Sequence, residues 1–388
     1  MRGHMKERSP GTWGIWIDVG KDESGKRRQK TYTFKGTKRE AQREMNRLLA
    51  EVETTAYIEP AKITVGQYLD RWLTDYAKSN VSARTYERYA EIVGRHLHPA
   101  LGSVPLAKLQ PLQIQGYYRQ ALENGRKDGK GGLSAQTVLH HHRVLHAALA
   151  QAVRWRLVAH NVSDAVEPPR PVQAEMNALD EHGTAKLIAT AAGTRLSLPV
   201  LLAVTTGLRL GEVLGLRWSD LDLDAGTITV RQTLEETRAA GLNFKPPKTH
   251  RSKRPVALPS LIVDALRRHK GAQAQQRLLL GPTWQEYDLV CPRDTGEPWS
   301  PRIASKAYEH LADRAGCPQI RFQDLRHSHA SQLLKQGVHL KVVSERLGHA
   351  RAVTTLNVYS HVLPGMQEDA AQRIDASLRA ALNKREAA

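Results

Sequence analysis

Three prolines crowd into one short stretch, Pro168, Pro169 and Pro171. Proline donates no backbone hydrogen bond and pushes the residue before it away from helical geometry, so neither a helix nor a central strand runs through this point. The chain is therefore expected to fold as separate pieces on either side of a linker. Its 388 residues leave each piece enough length for a core of its own. Upstream the pattern changes again near residue 60, which gives three segments, 1–60, 61–170 and 171–388.

In the first segment Trp13, Ile15, Ile17 and Val19 alternate with other residues, the period of a strand. Gly20 and the stretch 22–25 supply a turn, and Lys26 to Phe34 reads as a second, very basic strand. Thr37 opens a helix, with Glu40 completing a capping box and Leu48, Leu49 and Val52 forming an apolar stripe. The expectation is a small sheet backed by one helix, with Lys26, Arg27, Arg28 and Lys30 facing phosphates or a groove.

The second segment reads as helical. Thr64 and Gln67 form a capping box, Ser82 starts a helix through Tyr86, Tyr89 and Val93, and Gly102 and Pro105 break the pattern. Pro111 suits a first helical turn leading into Ile114, Tyr117 and Tyr118, and Ser134 caps a long helix to about Trp155. A four-helix bundle follows, with Arg84 and Arg143 as candidate phosphate contacts. His142 and His146 are spaced to chelate, but no acidic or cysteine partner stands near them in sequence. His140, His141, His142 and His146 are accordingly expected on a polar or DNA-facing surface.

A net charge of +18, with Lys and Arg spread along the whole chain, points to a polyanionic partner, and nucleic acid is the first candidate. No apolar run approaches the roughly 20 residues that span a membrane. The N-terminus lacks an apolar signal core. Cys291 and Cys317 are too few and too far apart for a disulfide framework or a zinc site. These features predict a cytoplasmic, nucleoid-associated protein with no membrane partner.

The third segment opens with a helix from about Asp180, and Arg209 falls in a mainly helical stretch. Strands at Thr227–Val230, near Thr237–Phe244 and at Arg254–Leu258 suggest one small sheet, and helices resume at Leu261. The chemistry sits here. Arg209 lies in Thr206-Gly207-Leu208-Arg209-Leu210-Gly211-Glu212, Arg326 in Gln323-Asp324-Leu325-Arg326-His327, and His349 in Leu347-Gly348-His349. Tyr359 follows His349 by ten residues. Two guanidinium groups can clamp a phosphodiester and a phenol can attack it. A phenol of ordinary pKa about 10 needs a cationic pocket to expose its phenolate. No phosphate-binding G-x-x-x-x-G-K-[ST] pattern and no carboxylate cluster is present, so the expected chemistry uses no cofactor and no metal.

These motifs, in this order and with Pro247-Lys248-Thr249 and Arg254-Pro255-Val256 between them, resemble the catalytic domain of the tyrosine recombinases, the phage-integrase family. The two upstream segments resemble its arm-binding and core-binding domains less specifically. The resemblance implies a mainly α fold with small β-sheets (α+β). It implies an N-terminal arm-type DNA-binding domain over 1–60, a helical core-binding domain over 61–170 and a catalytic domain over 171–388. It implies that Tyr359 attacks DNA to leave a 3′-phosphotyrosine and a free 5′ hydroxyl. Arg209, Arg326 and His349 would stabilise the phosphorus centre, Lys248 would protonate the departing oxygen, and Glu212 would support the site.

At the position three before the second arginine the family usually has histidine, and this chain has Gln323. A glutamine amide can bind a phosphate oxygen but cannot shuttle a proton. The expected partners are double-stranded DNA attachment sites and a homotetramer on them. The resemblance also admits a DNA-bending protein and an excisionase. Two other functions use the same sequence features: a type IB topoisomerase, and a DNA-binding regulator built on a catalytically weakened integrase.

Overall fold

The computed structural model describes residues 3–21, 27–54, 63–172, 177–247 and 254–348, with 353, 356, 371, 372, 374–376, 378 and 379. The chain divides into two compact units, Met1–Gln173 and Ala174–Ala388, and the division falls just past the proline stretch. The first unit contains two separate apolar cores.

The first core lies under a three-stranded antiparallel sheet of β1 (Gly3–Ser9), β2 (Thr12–Lys21) and β3 (Arg27–Lys35), in that order. Ile15 and Ile17 are fully buried against Met45 and Leu48 of helix α1 (Lys38–Thr54). Thr37 and Glu40 form the expected capping box at its start. Strand β1 was not legible beforehand, because Gly-His-Met-Lys-Glu-Arg-Ser has one apolar residue and no alternation. Pairing with β2 defines it, and its charged side chains suit an exposed edge. The register also corrects one expectation. Lys30 pairs with Ile17, so it shares the helix-covered face with Tyr32 and Phe34 and is half-buried. The opposite face carries Trp16, with the His4 ring stacked 4.9 Å from it and the Arg8 guanidinium 5.1 Å away. Gly14 leaves room for that indole, since a Cβ there would lie 2.6 Å from the ring. Lys26 lies outside the described residues, as do the side chains of Arg27 and Arg28.

The second core is a helical bundle. Helix α2 (Val65–Trp72) has the expected Thr64–Gln67 capping box and continues through a π-helical turn, Leu73–Ala77, to Asn80. Helix α3 (Ala83–Ile92), capped by Ser82, likewise continues through a π turn, Val93–Leu97. In both turns an amide reaches back five residues, Lys78 to Leu73 and His98 to Val93, which shifts the face that follows. Helices α4 (Pro111–Asn124) and α5 (Ala135–Arg154) complete the bundle. The histidines of α5 depart from expectation. His141 is fully buried with Nδ1 2.7 Å from the Tyr117 hydroxyl, and His142 Nδ1 lies 2.8 Å from the Tyr118 hydroxyl. His146 pairs with Asp164 at 2.9 Å, an acid eighteen positions away that sequence proximity did not reveal. Tyrosines on a neighbouring helix thus draw two of these rings inward.

In the second unit, helix α6 (Glu181–Ala191) is capped by Asp180, whose carboxylate accepts the Gly183 amide at 2.7 Å. Helix α7 (Ser197–Thr206) is almost wholly apolar and runs through the core, with Val200, Leu202 and Ala203 fully buried. Around it stand α8 (Leu210–Leu214) and a sheet in the order β4 (Leu221–Asp222), β5 (Thr227–Thr229), β8 (Pro255–Ala257). Between β5 and β8 the chain makes a separate ribbon, β6 (Thr233–Thr237) and β7 (Gly241–Lys245). The stretch Thr237–Phe244 is therefore a hairpin turn with its second strand and not a member of the sheet, because Gly241 at φ +62° reverses the chain there. Helices α9 (Ser260–Leu280), α10 (Pro301–Arg314), α11 (Asp324–Lys335) and α12 (Leu340–Leu347) follow.

Candidate active site

Helix α7 ends on Gly207, at φ +68°. A Cβ on this residue would lie 2.7 Å from Leu347 Cδ2 and 2.9 Å from His329 Cδ2, so both backbone angle and space require glycine. The turn sets Arg209 at the N-cap of α8, in extended backbone and not inside a helix as its surroundings suggested. Glu212, in the first turn of α8, closes a capping box. Its carboxylate accepts the Arg209 amide at 3.1 Å and the Arg209 guanidinium at 2.8 Å. The Arg209 side chain remains 39% exposed while that of Glu212 is only 5% exposed, so the arginine is anchored from below and open above.

A second arginine shares this carboxylate. Arg254, immediately before β8, is buried, and its Nη2 lies 3.3 Å from Glu212. Burial alone would push the Glu212 carboxyl up. Arg254, Arg209, the Arg209 amide and Arg326 together outweigh that and hold it below the usual carboxylate range. Burial pulls the Arg254 guanidinium down, with Glu212 opposing.

Arg326, on α11, is 2% exposed. Its Nη1 donates to the Gly207 carbonyl at 2.7 Å, which fixes it two residues from Arg209 in the chain, and its Nη2 donates to the Leu347 carbonyl. Arg254 Nε donates to the neighbouring Arg346 carbonyl at 2.6 Å. Two arginines thereby satisfy carbonyls that the end of α12 leaves without helical partners. Gly348 caps α12 at φ +68°, and a Cβ there would meet Arg254 at 2.7 Å.

Gln323 stands at the N-cap of α11, one turn before Arg326, with an exposed side chain that caps nothing. Buried Asp324 instead grips Arg321 through its amide at 2.8 Å and through Nε and Nη2 at 3.0 and 2.9 Å. His327 is half-buried, and burial lowers its pKa. The structure brings together Arg209, Glu212 and Arg326, with Gln323 on the same helix as Arg326. Lys248, His349 and Tyr359 lie outside the described residues. Arg254 stands in one of the family motifs but received no role there, and His329 and Arg346 entered no sequence-based site. The one available signal was spacing: His329 follows Arg326 by three positions on a helix, which places it on the same inward face.

A buried carboxylate organising two arginines, with a third on α11 bonded to the adjoining turn, is a cradle for an anionic transition state. Residues 176–365 match the phage integrase family, and residues 64–122 match the phage integrase N-terminal SAM-like domain. The chain belongs to the phage integrase family of tyrosine recombinases, enzymes of phage and mobile-element type that cleave and rejoin DNA. It is 26% identical over 379 residues to the tyrosine recombinase XerC-like protein of Caldanaerobacter subterraneus subsp. tengcongensis, covering 93% of this chain and 95% of that one. An integrase of Streptomyces ambofaciens is 27% identical over 372 residues, 91% and 93% of the two chains. Among solved structures, the integrase of the Tn1549 transposon shares the fold at a TM-score of 0.68 and 18% identity, covering 81% of this chain and 100% of that one.

Proposed function

We propose that this integrase recombines two double-stranded DNA attachment sites, inserting or excising a mobile element, and that Tyr359 forms the covalent 3′ link. Arg209 and Arg326 hold the non-bridging oxygens as charge develops on them. His349 donates a further hydrogen bond, Lys248 protonates the departing 5′ oxygen, and Gln323 binds the phosphate without proton transfer. The observation that carries this reading is the pairing of Arg209, open to solvent above, with a buried Glu212 that also holds Arg254.

The N-terminal sheet is assigned to arm-type sites, and its open face with exposed Lys6, Arg8, Thr31, Thr33 and Lys35 supports this. The bundle is assigned to the core site, where exposed Arg84 and Arg143 contact phosphates. The Tn1549 integrase was solved in complex with transposon right end DNA, which favours DNA as the partner of this chain as well. A homotetramer on the two duplexes is in keeping with Ile374 and Leu378, 62% and 58% exposed and one helical turn apart. A DNA-bending protein and an excisionase complete the proposed assembly, which acts at the nucleoid.

The test is a nicked suicide duplex carrying the attachment site. The parent should leave a covalent adduct, and Tyr359→Phe should bind equally and leave none. Binding without an adduct by the parent would favour the regulator, and relaxation of plasmids lacking any recognition site would favour the topoisomerase.

A further inference from the structure

Helices α7 and α12 are joined at their C-terminal ends by side chains. His329 Nδ1 donates to the Val204 carbonyl at 2.9 Å. That tautomer leaves Nε2 as an acceptor, and Arg346 Nε donates to it at 3.0 Å. Arg346 Nη2 also donates to the Thr205 carbonyl at 2.9 Å. Arg346 therefore reaches from α12 to the last turn of α7, and His329 is the neutral group that makes its second contact possible. His329 is only 6% exposed, so an apolar residue in its place would leave a guanidinium N–H unpaired in a largely dry setting.

Each participant stands three or four positions in sequence from a residue assigned to the chemistry. Thr205 precedes Arg209 by four positions, Arg346 precedes His349 by three, and His329 follows Arg326 by three. Taking the roles under the proposed function as given, we propose that His329 and Arg346 are positioning residues. By tying the end of α12 to the end of α7, they fix where the chain leaves Gly348 and so aim His349, and the segment leading to Tyr359, at the phosphate between Arg209 and Arg326. Neither side chain touches DNA; they act through the two helix ends.

The experiment compares adduct formation from prebound nicked DNA with DNA affinity, using the full chain. His329→Phe and Arg346→Leu should each cleave about 10- to 100-fold more slowly, the size expected for a small misplacement of reacting groups, with affinity within about twofold of the parent. His329→Gln, whose amide can both donate and accept, should keep most of the rate. The double variant His329→Phe/Arg346→Leu replaces the polar tie by an apolar pair and leaves no buried charge, so it should fold as the parent does and still cleave slowly. Parental cleavage by the double variant or by both single variants overturns the proposal. So does a loss of affinity in step with rate, which marks a folding role alone. If the parent itself leaves no adduct, the underlying assignment of Tyr359 fails instead, and the two failures are thereby told apart.

Discussion

The helical bundle and the C-terminal unit bury polar groups in different ways. In the bundle the buried polar groups are neutral: His141 with Tyr117, His142 with Tyr118, and the Tyr68 hydroxyl on the Ala148 carbonyl. Burial raises the pKa of all three tyrosines and lowers that of both histidines. The bundle's Arg84 and Arg143 stay at the surface. In the C-terminal unit charge itself is buried, in Glu212, Arg254, Asp324 and Arg326. Removing an ion from water costs several kcal/mol unless partners offset it. A unit that only grips a partner has no need of such an arrangement. One that must stabilise charge developing on a reacting group does, because its dipoles and cations must already be in place.

The contrast is broken most easily at Glu212. Glu212→Ala removes the carboxylate that offsets the charge of buried Arg254, and urea unfolding should show a loss of about 3–5 kcal/mol, with cleavage abolished. Tyr117→Phe in the bundle removes one neutral hydrogen bond and should cost only about 1 kcal/mol. Equal losses at the two sites would erase the distinction. Next in size, Arg209→Ala should lower the single-turnover cleavage rate about 10²–10³-fold while DNA affinity changes little. Arg84→Ala and Arg143→Ala should do the reverse, weakening binding to all sequences and lowering the salt dependence by about one unit each, with the prebound rate unchanged.

Acid should act on both units through their buried histidines. Burial lowers the pKa of His329, and likewise that of His141, to about 4. The unfolded chain then binds more protons than the folded one between about 6.5 and about 4, so stability is full above this window and is lost as pH falls through it. Thermal melts from pH 7 to pH 4 should show this decline, and His141→Leu should flatten it in the bundle alone. The smallest effect is expected at Gln323. Gln323→His should remain active and Gln323→Ala should cleave more slowly, whereas equal rates for Gln323→Ala and the parent would remove Gln323 from the site.

Local signals in the chain were read correctly where the sequence carries its own cause. The capping boxes at Thr37 and Thr64, the cap at Ser134 and the helix starts at Ser82 and about Asp180 each depend on residues a few positions apart, and all five form. Strand β1 and the face occupied by Lys30 were missed because pairing and register are set between strands and not by one strand's own residue pattern. The burial of His141 was missed for a similar reason, since its partner Tyr117 stands 24 positions away. Within the site, motif gives Arg209, Glu212 and Arg326 their roles and contains Arg254 without giving it one, while His329 and Arg346 receive none. Their partners are backbone carbonyls and a shared carboxylate, and no side-chain pattern announces a carbonyl at a helix end.

The most direct test is peptide mass spectrometry of the complex stalled on nicked attachment-site DNA. A nucleotide-bearing fragment containing Tyr359, absent from Arg209→Ala and Tyr359→Phe samples, is the predicted result. A nucleotide attached to any other side chain, or none in a parent that binds the duplex fully, would contradict the account.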